Sequence, residues 1–93
     1  MELKVKYSNR FKKGVRLAAK RGLDITLLED IVVKLKLRIP LDVKHKDHAL
    51  SGNYKGYREC HIQPNWLLIY LIEDDILTLT LVDTGTHADL FDM

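Results

Sequence analysis

The stretch "NWLLIYLIEDDILTLTLV", residues 65–82, decides the fold. Asn65 to Ile72 is apolar without alternation, which predicts a central strand covered on both faces. Residues 76–82 set Leu77, Leu79 and Leu81 against Thr78, Thr80 and Val82, the period of two of a half-buried strand. "EDD" is a turn between them, and "QPN" is a turn leading back to a third run of strand formers, "YKGYRECHI", residues 54–62.

Toward the amino end the period changes. "ELKVKY" alternates Leu3, Val5 and Tyr7 with charged residues and predicts a short first strand. From Ser8, an N-cap, Phe11, Val15 and Ala18/Ala19 recur at helical spacing up to Gly22, a stop signal. A second helix follows: Thr26 and Glu29 have capping-box spacing, Leu28, Ile31/Val32, Leu35 and Ile39 form a stripe, and Pro40 ends it. The order is βααβββ, an α+β domain with a helical hairpin packed on one face of a small, mainly antiparallel sheet.

The chain of 93 residues has the length of a single domain, residues 1–93, and is 46% hydrophobic and 30% charged, which excludes a disordered tract. Its longest apolar run, Trp66 to Ile72, is too short to cross a bilayer, and no signal-peptide pattern opens the chain, so no membrane role is expected. One cysteine, Cys60, suits a reducing cytoplasm. Charge is segregated: residues 1–46 hold thirteen Lys/Arg against five Asp/Glu, a balance of +8, and residues 47–93 hold two against eight, a balance of −6. Within the basic half, Lys12, Arg16 and Lys20 repeat every four residues on the first helix. Such a ridge is either a solvated face or a contact for a phosphate backbone.

Four histidines lie outside the helices: His45, His48, His61 and His87. Histidine exchanges its proton near neutral pH, with an ordinary pKa of about 6.5, so His48, His61 and His87 gathered on one sheet face would suit general acid–base work. His45 reads as a locally hydrogen-bonded loop residue. Zinc is the rival use of these residues, but Cys60 and His61 are adjacent on a strand and point to opposite faces, and no CxxC or HxxxH spacing occurs. Trp66 and Phe91 read as packing residues on their own. No phosphate-binding glycine loop or serine-nucleophile motif is present.

Taken together, "KDHAL", "GYRECHI", "PNWLLIY" and "GTHADLF" resemble, in order and spacing, the YafQ branch of the RelE/ParE-type toxins of bacterial type II toxin–antitoxin systems. The resemblance implies a RelE-like fold and a ribosome-dependent endoribonuclease that cuts mRNA in the ribosomal A site. A cognate antitoxin silences such an enzyme, which meets DNA only through that antitoxin. The active-site set carried over falls on His48, His61, Trp66, His87 and Phe91. Phosphate or RNA contacts are expected from Lys46, Arg58 and Asn65, with Lys12, Arg16 and Lys20 as the outer basic ridge. Asn65 stands where the family commonly has aspartate, and an amide exchanges no proton at neutral pH.

Cleavage by the RNA's own 2′-hydroxyl needs a base, an acid and positive charge near the phosphorane, but no metal or cofactor. His87 and one of His48 and His61 would form the acid–base pair, and Phe91 would stack on a base. Two alternatives stay open at this point: a catalytically weak antitoxin-binding co-repressor, and a ParE-like toxin directed at gyrase.

Overall fold

The computed structural model describes residues 2–91. Strands β1 (Lys4–Tyr7), β2 (His48–Ala49), β3 (Arg58–Gln63), β4 (Trp66–Glu73) and β5 (Thr78–Gly85) form one sheet in the order β1-β5-β4-β3-β2. β1 runs parallel to β5 and the other neighbours are antiparallel. Helices α1 (Asn9–Lys20) and α2 (Ile25–Lys36) come between β1 and β2, and a short helix α3 (His87–Phe91) follows β5. This is the expected α+β arrangement, with β2 and α3 added to it.

Local signals account for most boundaries. The Ser8 hydroxyl accepts the Phe11 amide at 3.0 Å and starts α1. The helix closes over Gly22, whose neighbour Leu23 returns its amide to the Ala18 carbonyl at 3.1 Å. The start of α2 differs from expectation, because Asp24 is the cap: its Oδ1 accepts both the Thr26 amide, at 3.0 Å, and the Thr26 hydroxyl, at 2.6 Å. Its end differs too. Arg38 adopts φ 60°, and the Ile39 amide bonds back to the Lys34 carbonyl at 2.8 Å, so the helix stops before Pro40 can break it.

The third run of strand formers is shorter than expected at its start: Tyr54 belongs to a 3₁₀ turn, and Gly56 at φ 97° keeps the chain out of the sheet until Arg58. Leu77, at φ 49°, lies in the turn before β5, which runs on instead to Gly85.

Both long helices lie on one face of the sheet. Phe11, Ala18, Leu28, Ile31 and Leu35 pack there against Trp66, Leu68, Tyr70, Leu79 and Leu81. The opposite face is covered only in part: Leu67 and Ile69 meet Leu90 of α3, with Leu50, Tyr54, Tyr57, Val82 and Phe91 half-buried around them. β4 is therefore covered on both sides, as its unbroken apolar run requires. Gly14 lets α1 approach β5 closely, since a Cβ there would lie 2.3 Å from the Thr84 carbonyl oxygen. Among the described residues no helix is long and apolar enough to cross a membrane.

Candidate active site

His48, His61 and His87 gather on the sheet face away from α1 and α2. β2 pairs with β3 so that His48 stands opposite Glu59, and β3 pairs with β4 so that His61 stands opposite Leu67. Strand alternation then puts His48, Glu59 and His61 on one side and Arg58 and Cys60 on the other. Glu59 is buried, and one oxygen, Oε1, lies 3.4 Å from His61 Nε2 and 3.7 Å from His48 Nε2. The His61 and His87 rings meet edge to face with centroids 5.8 Å apart.

The rings of His48, His87 and His45 are each held by an acceptor. His48 Nδ1 lies 2.6 Å from the Lys46 carbonyl, which can only accept, so Nδ1 carries the proton and Nε2 the lone pair of the neutral ring. Asn65 Oδ1 accepts the His87 backbone amide at 3.4 Å and contacts His87 Nδ1 at 3.1 Å. The backbone amide can only donate, which fixes the orientation of the Asn65 side chain and makes His87 Nδ1 a donor as well. His45 donates Nδ1–H to the His61 carbonyl at 2.6 Å. It is the locally bonded residue expected, and it braces β3 where the pairing register shifts between His61 and Gln63.

α3 brings His87 to this face through a reciprocal cap. The Thr86 amide donates to Asp89 Oδ2 at 2.9 Å and the Asp89 amide donates to Thr86 Oγ1 at 3.1 Å. Arg21, just past α1, donates to Asp89 Oδ2 at 2.6 Å and ties α3 to the helical layer. The Arg21 guanidinium, with the Thr86 amide, pulls the Asp89 carboxyl down to about 2. Gly85 ends β5, and a Cβ on it would lie 2.8 Å from Asp89 Cβ, so its bareness admits the cap.

The expected residues divide accordingly. His48, His61, His87 and Asn65 come together, and Phe91 lies on the same side, half-buried and edge-on to Tyr54 at 5.6 Å. Exposed Lys46 precedes them in the loop. Trp66 is apart: only 2% exposed, it faces the helical layer and donates Nε1–H to Thr84 Oγ1 at 3.1 Å, so it cannot touch RNA at the histidines.

Arg58 is also corrected. Its strand parity turns it to the helical side, where Nε meets Tyr70 OH at 3.3 Å and Asp47 Oδ1 at 3.4 Å, and Tyr70 OH donates to Asp47. Burial and the bond to Asp47 raise the Tyr70 hydroxyl well above its ordinary range. Lys12, Arg16 and Lys20 are exposed on α1, across the sheet from the histidines. They cannot line the same phosphate.

Cys60 is fully buried in the helical-side core, and burial pushes its thiol up to about 12. Glu59 and the Thr86–Asp89 cap are the site features that the sequence reading missed. "THAD" has capping-box spacing and carried a signal for the second.

The sequence matches the family of bacterial toxins of type II toxin–antitoxin systems described as YafQ over residues 3–92. It is 42% identical over 88 residues to the mRNA interferase toxin YafQ of Escherichia coli K12, with 94% of each chain covered. Its structure is similar to the toxin in the E. coli DinJ–YafQ complex, with a TM-score of 0.89 at 40% identity over 98% of this chain and 99% of the other. It is equally similar to a metal-bound toxin from Helicobacter pylori, with a TM-score of 0.90 at 42% identity over 96% and 99%. The chain belongs to the YafQ family of type II toxin–antitoxin toxins.

Proposed function

We propose that this toxin is a cytoplasmic, ribosome-dependent endoribonuclease that cuts mRNA in the A site by metal-independent acid–base catalysis and is silenced by a cognate antitoxin. The observation that carries the reading is the convergence of His48, His61 and His87 on one face, with the His48 and His87 rings bonded to Lys46 and Asn65 and the Glu59 carboxylate facing His48 and His61. The E. coli relative is an mRNA interferase toxin and forms a complex with DinJ, which supports both the substrate class and the partner.

In this reading the base is on the His48/His61 side, where a carboxylate faces both Nε2 atoms, and His87 is the acid. The 2′-hydroxyl proton passes to an imidazole, the 2′-oxygen bonds to phosphorus, and the P–O5′ bond breaks. The 5′-oxygen then takes its proton from His87, leaving a 2′,3′-cyclic phosphate and a 5′-hydroxyl. Lys46 supplies charge near the phosphorane, and Phe91 with Tyr54 offers an aromatic edge to a base. The α1 ridge contacts phosphate backbone outside the cleavage site, adding affinity without sequence preference.

Primer extension on a message after induction tests this. Discrete cuts within translated codons, absent in His87→Ala, are expected. Intact message during growth arrest would favour a gyrase-directed toxin, and intact message without arrest would favour a binding module.

A further inference from the structure

We propose that Glu59 acts on the cleavage site through His48 and His61, its buried carboxylate lying beside both Nε2 atoms and stabilising the imidazolium formed when the base takes the 2′-hydroxyl proton. The proposal rests on the ribonuclease reading above. Glu59 is 5% exposed, and a buried carboxylate without a partner is costly. Its ion-pair contacts among the described residues are to these two rings, through the same Oε1. At 3.4 and 3.7 Å neither contact is a formed hydrogen bond, so the carboxylate acts by charge and leaves Nε2 room to meet a substrate hydroxyl.

The His48 tautomer gives the contact its direction. With Nδ1–H spent on the Lys46 carbonyl, neutral His48 keeps its Nε2 lone pair free to accept a proton, 3.7 Å from the Glu59 carboxylate. Transfer of the 2′-hydroxyl proton to Nε2 makes the same contact attractive, so the interaction strengthens as the reaction proceeds, which is what lowers a barrier. The proton lost by the hydroxyl resides on the ring, and the 5′-oxygen is protonated by the separate His87. A residue needed only to fill the strand would have no reason to bring a carboxylate between two imidazoles.

Single-turnover cleavage on programmed ribosomes, with Glu59→Gln, Glu59→Asp and His87→Ala, tests this. Glu59→Gln is expected to cut at least tenfold more slowly at saturating ribosomes, with the half-saturating concentration unchanged. Glu59→Asp, which keeps the charge, should recover part of the rate. The ring-nitrogen NMR signals of His48 and His61 should shift in Glu59→Gln while those of His45 stay.

A wild-type rate for Glu59→Gln beside an inactive His87→Ala overturns the role of Glu59 and leaves the ribonuclease reading intact. Full activity of His87→Ala overturns that reading itself. Should Glu59→Gln not fold, Glu59→Asp decides: a reduced rate with shifted His48 and His61 ring signals upholds the proposal, and a wild-type rate with unshifted signals contradicts it.

Discussion

Asn65 Oδ1 receives the His87 backbone amide and Nδ1 together, at 3.4 and 3.1 Å. The amide thereby orients the ring as a carboxylate would, but it lacks the charge that strengthens a bond to an imidazolium roughly twofold. Asn65→Ala is therefore expected to slow cleavage about tenfold, a loss of about 1.4 kcal/mol of transition-state stabilisation. Asn65→Asp is expected to raise the rate above the natural chain. Equal rates for Asn65→Asp and the natural chain, measured on the same ribosome-bound message, would sink the idea that charge at this position matters.

The Arg21–Asp89 pair links the helical layer to α3 and should govern the site more than global stability. Arg21→Ala is expected to leave the thermal midpoint within a few degrees yet lower cleavage, because the helix bearing His87 loses its tether. Asp89 is depressed in the folded chain, to about 2. Its contribution is thus fully present above the ordinary carboxylate pKa of about 3.9 and is lost as pH falls through about 2. The protection of the α3 amides, exchange corrected for its intrinsic pH dependence, should fall across that window. Unchanged protection from pH 5 to pH 2 would contradict the tether.

Gly14 and Gly85 separate stability from function. A methyl at Gly14 meets the Thr84 backbone, so Gly14→Ala should destabilise the fold by about 1–3 kcal/mol in chemical denaturation. At Gly85 the clash is with the Asp89 side chain, so Gly85→Ala should displace α3 and reduce cleavage more than it reduces stability. A Gly85→Ala protein with full activity would show that the close approach does not set the position of His87.

Metal removal offers another check. The proposed chemistry uses protein groups alone, so a chelator should leave the rate unchanged. Loss of cutting with chelator, restored by a divalent ion, would instead give the histidines a ligand role. Cys60 would still be excluded from such a site: buried and pushed up to about 12, it should resist alkylation in the folded protein.

Much of the fold was legible because periodicity changes sharply along the chain. The unbroken run in residues 66–72 signalled a doubly covered strand, and the spacing from Phe11 to Ala18 signalled a helix packed on one side. β2 was not legible, since two residues have no period, and without β2 nothing indicates that Glu59 is buried rather than solvated.

Parity could have corrected Arg58: it is three residues from His61, so on a regular strand the two point to opposite faces. Trp66 offered no such cue, because both faces of β4 are apolar. Convergence of the histidines was readable as a possibility from their places at strand ends. Their partners were not, since the Lys46 carbonyl and the Asn65 amide depend on loop conformation, including Lys46 at φ 47°.

The most direct test of the central claim is single-turnover cleavage of an A-site codon on purified ribosomes by the wild-type chain and by His87→Ala, with ribosome binding measured in parallel. The account predicts a loss of about 10²-fold or more in cleavage at unchanged binding. A His87→Ala protein that binds and cuts at the wild-type rate would contradict it.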